Sequence, residues 1–356
     1  MKTNKHKDLL LNCQNIVVFR TDKLGDMILT LPMFKLLRHL NPNANLHLIH
    51  SNYTKPILSF IDKSYNIIFH NINSEDTNKK TISELLKEIK PDIIFNPRPK
   101  FNETIAGYFS DTKLRVGTGY RYYSFLYNHK VYEHRKVGLK NEAEYNLSLI
   151  ESFLTTDEID KLDKSTIYSL IKFEIKKEQK TQLKTKLKEL GVNFSKMPII
   201  LHPSTGGSAR EWRPTYFGKL AKRLSREFNN NILITGIQED SLNCKKVEIE
   251  SVYSKNLCGK LTLEEMIILI SISKLVIANS TGILHLAATC GVPIVGLYPN
   301  SANIGPKRWS PYTDKKIILS PPFIDDEISK DDMNMIKVED VLAACRIFLK
   351  KTIKNN

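Results

Sequence analysis

The sequence predicts an α/β protein built from two parallel-sheet halves, and three observations carry that expectation. Short apolar runs alternate with stretches of helical apolar spacing, the alternation restarts near the middle of the chain, and each half has a glycine-bearing turn directly after a strand-like run. Strands alternating with helices are the mark of a parallel sheet with helical crossovers. At 356 residues the chain exceeds what one core usually organises, and two domains of about 150–180 residues each are expected.

The elements follow in order. Ile16 to Phe19 reads as a buried strand running into the turn Arg20-Thr-Asp-Lys-Leu-Gly-Asp26. Met27 to Leu40 has helical spacing (Met27, Leu31, Phe34, Leu37, Leu40), with Pro32 inside the pattern as a kink. Strands are expected at Leu46 to His50 and Ile67 to His70, a helix at Ser83 to Ile89, and a strand at Asp92 to Phe95. Lys172 to Leu190, rich in Lys, Glu and Gln and ending at Gly191, reads as a solvated helix leading into the second half. The alternation then restarts: strand Pro198 to His202, helix Pro214 to Phe228, strand Asn231 to Thr235, helix Leu263 to Ser271, strand Leu275 to Ala278. A helix carrying His285 follows, then a strand at Ile294 to Leu297 and a terminal amphipathic helix at Val338 to Lys350. The division this predicts is a domain over 1–171, a charged linker helix over 172–195, a second domain over 196–330 and a C-terminal helix over 331–356.

The formal net charge of +15 asks for an anionic partner: nucleic acid, an anionic membrane surface or a phosphorylated substrate. A composition rich in Lys, Asn and Ile is a second source of the same excess. Five scattered cysteines, none in a CxxC or Cys/His metal spacing, predict a reduced cytosolic setting and no metal site. The polar N-terminus is a poor signal peptide, and no apolar stretch approaches the roughly 20 residues that span a bilayer. Between Arg98 and Lys136, eight Lys and Arg residues face only Glu103, Asp111 and Glu133, and six tyrosines are interleaved with them. Basic plus aromatic fits nucleic acid; it equally fits a phosphorylated sugar or lipid headgroup, or an exposed region with no ligand.

Neither half carries GxxxxGK[ST] or GxGxxG, which argues against P-loop NTPases and ordinary dinucleotide dehydrogenases. In the first turn Asp26 is either a helix cap or an acid facing the crevice where α/β proteins bind ligands, able to take a proton from a substrate hydroxyl with an ordinary pKa around 4. The segment His202 to Pro214 places Ser204, Thr205, Gly206, Gly207 and Ser208 after a strand with Arg210 and Arg213 beside them, a donor-rich loop suited to a diphosphate; the alternative is a surface loop with Trp212 packed into the core. Leu233 to Asp240 runs through Gly236 to Glu239, a placing in which an acid accepts ribose hydroxyls or caps a helix. Asn279-Ser280-Thr281-Gly282 is a small-polar elbow at a helix start, where backbone N–H groups and the helix dipole favour phosphate. The lone histidines His39, His47, His50 and His129 read as surface or core residues and not as metal ligands.

Four blocks occur in order: Arg20-x-Asp-x-Leu-Gly-Asp-Met-Ile-Leu-Thr-Leu-Pro32; Leu201-His-Pro-Ser-Thr-Gly-Gly-Ser-Ala-Arg-Glu-Trp-x-Pro214; Thr235-Gly-x-x-Glu239; and Asn279-Ser-Thr-Gly-x-x-His-Leu-Ala-Ala288 with Gly291-Val-Pro293. Together they resemble glycosyltransferase family 9, the lipopolysaccharide heptosyltransferases. The resemblance implies the GT-B architecture, two Rossmann-like domains facing across a cleft, with acceptor bound mainly by the N-terminal domain and sugar nucleotide by the C-terminal one. It implies inverting transfer from ADP-heptose to a lipopolysaccharide core, with no metal and no cofactor beyond that co-substrate. An anionic lipid-linked oligosaccharide is then the acceptor, nucleic acid is not a partner, and the protein is cytoplasmic, peripheral at the inner face of the cytoplasmic membrane.

Carried over residue by residue, Asp26 matches the general base, and Ser204, Thr205 and Gly206 the donor-phosphate loop. Arg210 stands where the family usually has a diphosphate-binding lysine, and Gly236 with Glu239 matches the ribose-binding turn. Ser280, Thr281, Gly282 and His285 match the donor-site helix start. The basic segment becomes the acceptor-facing surface, with Arg98, Lys100 and Arg121 as candidates. One departure is Ser280, where many members have Asp. It keeps open a same-fold transferase that uses another sugar nucleotide for another surface glycan. A non-enzymatic basic binding protein is the distant alternative.

Overall fold

The computed structural model describes residues 2–72, 80–322 and 332–350. The chain divides into two units, Met1–Ile171 and Lys172–Asn356. The boundary expected at 330/331 lies outside the described residues.

The first unit runs α1 (Lys2–Asn12), β1 (Asn15–Arg20), α2 (Leu24–Ile28), α3 (Leu31–Leu40), β2 (Asn45–Ser51), β3 (Ile67–Ile72), α4 (Ile82–Ile89), β4 (Ile93–Phe95), α5 (Phe101–Tyr108), β5 (Leu114–Thr118), β6 (His129–Val131), α6 (Glu142–Glu151), α7 (Thr156–Asp160) and α8 (Lys164–Ile167). Its six strands lie in the order β3-β2-β1-β4-β5-β6, all parallel. Ile16, Val17, Val18 and Phe19 of the central strand are all buried, as a continuous apolar run must be when helices cover both faces. The order reverses between β1 and β4, and the crevice at such a reversal is where open α/β sheets bind ligands.

The single kinked helix expected over Met27 to Leu40 is two helices, α2 and α3, separated at Leu29 and Thr30. Pro32 sits in the first turn of α3, where its missing N–H costs nothing because first-turn amides have no intrahelical acceptor. The basic segment 98–136 contains α5, β5 and β6. Their short lengths and Gly, Tyr and Lys content hide them from a reading based on apolar periodicity.

The second unit runs α9 (Lys177–Glu189), β7 (Ile199–His202), α10 (Pro214–Phe228), β8 (Ile232–Ile234), α11 (Ser241–Glu250), β9 (Ser254–Asn256), α12 (Leu263–Ser271), β10 (Leu275–Asn279), α13 (Gly282–Thr289), β11 (Ile294–Leu297), α14 (Pro306–Trp309), β12 (Lys316–Leu319) and α15 (Val338–Lys350). Its sheet, β12-β11-β10-β7-β8-β9, is also all parallel. It repeats the strand order of the first unit, with the reversal between β7 and β10. The charged segment 172–195 contributes α9, which buries Leu183 and Leu187 and pairs Lys186 with Glu265 of α12 at 2.7 Å. Helix α15 closes the core, where Val341, Leu342 and Cys345 join Trp212, Phe217 and Leu220. Among the described residues no helix is long and apolar enough to cross a membrane.

Candidate active site

In the first unit β1 delivers Arg20 to the switch point, and the turn after it returns two acids onto that side chain. Arg20 Nη2 donates to Asp26 Oδ1 at 2.6 Å, its Nε lies 3.6 Å from Asp22 Oδ2, and Nη2 lies 3.8 Å from Glu142 Oε1 of α6. Arg20 is 1% exposed and Asp26 5%. Asp26 is the third residue of α2; Lys23 occupies the N-cap position, and no side-chain cap bond forms there. The carboxylate is therefore committed to the arginine, and helix capping is not its role. Burial pushes the Asp26 carboxyl above its ordinary value, opposed by Arg20 and assisted by Asp22 and Glu142. The ordinary carboxylate expected from the sequence is thus a raised one, because desolvation outweighs the ion pair.

Residues from beyond β4 complete this crevice. Arg98 Nη1 and Lys100 Nζ lie 3.8 and 3.6 Å from the Asp22 carboxylate, and Lys100 Nζ donates to Thr21 Oγ1 at 2.6 Å. Thr21 Oγ1 in turn donates to Glu103 of α5. Glu103 is buried, and burial pushes its carboxyl up to about 7 against Thr21 and Lys100. Arg135 holds Glu142 from the far side at 2.6 Å. The structure thus brings Arg98 and Lys100 to the crevice that holds Asp26. Arg121 is exposed in the loop after β5, where its amide donates to Ser124 Oγ. Arg20, Asp22, Glu103 and Glu142 were not singled out from the sequence; Glu103 and Glu142 lie more than 70 residues from Asp26, and only the fold gathers them.

In the second unit three turns leave the C-terminal ends of the adjacent strands β10, β7 and β8. The loop after β7 is fixed from within. Glu211 Oε1 accepts from the Thr205 amide at 2.6 Å and from Thr205 Oγ1 at 3.0 Å, and Asn243 of α11 donates to both Ser204 Oγ and Glu211 Oε2. Gly206 and Gly207 have φ of 58° and 76°, a left-handed conformation that favours glycine. No heavy atom lies within 4 Å of where a Cβ would stand on either, so their backbone faces open space. Arg210 is exposed beside them.

Asn279 at the end of β10 joins that loop to the elbow. Its Oδ1 accepts from the Trp212 amide at 2.9 Å and its Nδ2 donates to Pro203 O at 2.6 Å, while Ser208 Oγ donates to Ser280 O at 3.4 Å. Thr281 is the N-cap of α13 with extended backbone and no capping bond from its hydroxyl. The Gly282 and Ile283 amides beyond it have no intrahelical acceptor, while Leu284 N donates to Thr281 O at 3.1 Å. His285 is buried one turn in; burial and Lys316 drive its imidazole down to about 4, so it is neutral. Gly236 follows β8, where a Cβ would stand 2.8 Å from Asp240 Cβ and 3.0 Å from Cys244 Sγ. Glu239 is exposed in the short turn that follows. Bonds from Asn279 to Trp212 and Pro203 and from Ser208 to Ser280 join the loop to the elbow, which sets Ser204, Thr205 and Gly206 alongside Ser280, Thr281 and Gly282, with Gly236 on the neighbouring strand. Glu211, Asn243 and Asn279 hold them and went unrecognised, although Glu211 and Asn279 lie inside the quoted blocks. Among the described residues no group of three or more His, Cys, Asp or Glu side chains is placed to hold a metal ion.

Two Rossmann-like units with the same strand order and a glycine-bearing turn at each switch point give the GT-B fold. The family model described as glycosyltransferase family 9 (heptosyltransferase) matches residues 92–333, and the chain belongs to that family. Membership removes the alternative of a non-enzymatic binding protein. A Haemophilus influenzae protein named provisionally as a glycosyltransferase is 28% identical over 95% of this chain and 97% of its own length. A glycosyl transferase family 9 structure from Veillonella parvula is similar with a TM-score of 0.79 at 20% identity, over 96% of this chain and 98% of that one. The E. coli ADP-heptose lipopolysaccharide heptosyltransferase II is similar with a TM-score of 0.76 at 19% identity, over 96% and 99%.

Proposed function

We propose that this glycosyltransferase is an inverting, metal-independent heptosyltransferase that moves a heptose from ADP-heptose onto a hydroxyl of a lipopolysaccharide core acceptor, with Asp26 as general base. The observation that carries the reading is the buried Arg20–Asp26 pair at the switch point of the first unit. Asp26 Oδ1 is held by Arg20, which leaves Oδ2 for the acceptor proton. That oxygen takes the proton as the acceptor hydroxyl attacks the anomeric carbon. The bond from that carbon to the diphosphate breaks, and ADP leaves with the electron pair. A carboxylate lifted by burial is a stronger base than a solvated one, and Arg20 opposes that lift.

The diphosphate belongs to the second unit in this reading. Ser204, the open backbone of Gly206 and the start of α13 at Thr281-Gly282 supply donors to anionic oxygen, Thr205 shapes the loop through its bonds to Glu211, and Arg210 supplies the charge a metal would otherwise bring. Gly236 and Glu239 receive the ribose, while Ser280 and the neutral His285 meet hydroxyls. Arg98, Lys100 and Arg121 hold the acidic groups of the acceptor, and nucleic acid has no part.

Asp26→Asn is the test. Turnover should fall by roughly 10²–10⁴ with ADP affinity nearly intact; parallel loss of binding and folding overturns the assignment. Ser280 favours a second reading, a different sugar nucleotide for another surface glycan. Thermal shifts with ADP, UDP, GDP and CMP separate the two, because a nucleotide at 100 times its Kd stabilises the native state by about 2.7 kcal/mol. A selective ADP response supports heptose transfer, and a UDP or GDP response replaces it.

A further inference from the structure

An acid in the first turn of a helix ordinarily serves that helix. Glu84, Glu144, Glu158 and Glu265 do so: each stands third in α4, α6, α7 or α12 and closes a capping box with the residue before its helix. Glu103 also stands third in its helix, α5, yet α5 starts after Lys100 and has no side-chain cap bond. Glu103 is only 2% exposed. Its main partner lies outside the helix, in the turn after β1, where Thr21 Oγ1 donates to Glu103 Oε1.

That bond sets a direction. Thr21 has one hydroxyl proton and gives it to Glu103, so its oxygen turns a lone pair to Lys100. The Lys100 ammonium donates to Thr21 Oγ1 at 2.6 Å and to Thr21 O at 3.2 Å. Asp22 attracts the same ammonium from 3.6 Å, outside hydrogen-bond reach, and Arg20 and Arg98 stand 3.6 and 3.8 Å from that carboxylate. The contact that fixes Lys100 is therefore the neutral hydroxyl, and Glu103 fixes the hydroxyl. The Lys100 side chain is still 45% exposed, so its charge is offered to solvent from a set position. A flexible lysine ordered beforehand loses less freedom when an anion arrives.

We infer that Glu103 is a positioning residue for the acceptor: through the Thr21 hydroxyl it holds the Lys100 ammonium in place for an anionic group of the incoming acceptor. The part Lys100 plays toward the acceptor rests on the function proposed above, while the order Glu103–Thr21–Lys100 does not. The arrangement also responds to pH. Burial lifts the Glu103 carboxyl to about 7. The groups that face it are Lys100, Asp22 and the phenols of Tyr123 and Tyr127, and burial raises both phenols, so they stay neutral at pH 8. Ionisation of Glu103 places a negative charge behind Lys100 and weakens its pull on an anion.

Two readouts test it on the full chain. The first is acetylation by limiting acetic anhydride, followed by mass spectrometry without glycan or nucleotide, with the exposed Lys130 as internal reference. Thr21→Val and Glu103→Ala should each raise Lys100 labelling about fivefold, while Thr21→Ser and Glu103→Gln, which keep the chain of bonds, should stay within about twofold of wild type. The second is kinetic, with ADP-heptose and a deacylated lipopolysaccharide core fragment. Thr21→Val and Glu103→Ala should raise the acceptor KM about fivefold with kcat and ADP affinity held, and neither should add to the effect of Lys100→Ala. Between pH 6 and pH 8 the wild-type acceptor KM should rise more than that of Glu103→Gln. Unchanged Lys100 labelling in Thr21→Val, or a KM loss that adds to Lys100→Ala, overturns the inference. Labelling that responds while Lys100→Ala keeps the wild-type acceptor KM, or while wild type transfers no heptose, overturns the acceptor reading and leaves the order Glu103–Thr21–Lys100 standing.

Discussion

The two switch points share one topology and carry opposite chemistry. Between β1 and β4 the crevice is ionic and buried: Arg20 lies among Asp22, Asp26 and Glu142, with Glu103 one hydroxyl away. Between β7 and β10 it is neutral but for Glu211, whose carboxylate is spent on Thr205 and Asn243; the rest is glycine backbone, hydroxyls and amides, with Arg210 and Glu239 in solvent. A buried carboxylate near a cation is a device for handling a proton. A ring of donors whose one carboxylate is already bonded from within is a device for receiving an anion that brings its own charge. The difference teaches that the strand order fixes where ligands bind and leaves their chemistry to the few residues after each strand.

Breaking the ionic crevice should produce the largest effect. Arg20→Gln removes the cation hydrogen-bonded to Asp26 at 2.6 Å and leaves buried carboxylates underpaired, which costs about 3–5 kcal/mol. Where the variant still folds, the acid limb of kcat/KM should move upward, because the influence that lowers the Asp26 pKa is gone. Arg20→Lys restores charge without the two-pronged geometry and should return part of both. Urea melts and a pH–rate profile read the two effects. A stable Arg20→Gln with an unmoved limb would show that Arg20 does not govern the base.

How far this contrast was legible in the sequence differs between the units. The neutral crevice is assembled from contiguous stretches, and Ser204 to Arg210 and Asn279 to Gly282 announce it in small and glycine residues. The ionic crevice is assembled across the chain: Asp26 was legible from the turn after the first strand, but Glu103 and Glu142 sit inside helices where a charged residue reads as solvent-facing. Burial reverses that reading, and burial is a property of packing. Strand and helix positions were recovered where apolar periodicity was strong, as in Pro214–Phe228 and Leu263–Ser271. They were missed in the three-residue β6 and in α6, whose buried face includes Glu142 and Asn146 and so breaks the apolar pattern. The helix break before Pro32 escaped notice because the same spacing fits one helix or two.

The contrast should also appear in the pH dependence of stability. Glu103 is raised in the fold from its ordinary 4.5 to about 7. Its contribution is therefore present below 4.5 and lost as pH rises through 7. Glu103→Gln keeps an acceptor for Thr21 and should gain up to about 3 kcal/mol at pH 8, with the gain vanishing below pH 4.5. The second unit pulls the other way: buried His202 and His285 are both lowered to about 4, so their contribution is held above 6.5 and lost as pH falls toward 4. Denaturant melts from pH 4 to 8 should show the variant diverging from wild type only on the alkaline side. Divergence on the acid side would mean that Glu103 is not the group that titrates.

The smallest effect belongs to the exposed charge of the neutral crevice. Arg210 makes no buried contact, so its removal should leave stability unchanged. Its cation is screened by solvent, and a charge-assisted bond to the proposed diphosphate would be worth roughly tenfold in affinity. Arg210→Ala should weaken ADP binding by about that factor, and Arg210→Lys by less, since a point charge still meets phosphate. Neither change should move the acid limb proposed for Asp26 or the KM for acceptor, because the proposed mechanism gives both to the other unit. Calorimetric titration with ADP, paired with acceptor kinetics, separates these quantities. An unchanged ADP affinity in Arg210→Ala would leave the diphosphate to backbone and hydroxyl donors alone, and a shifted acid limb would show that the two crevices do not divide proton and phosphate chemistry between them.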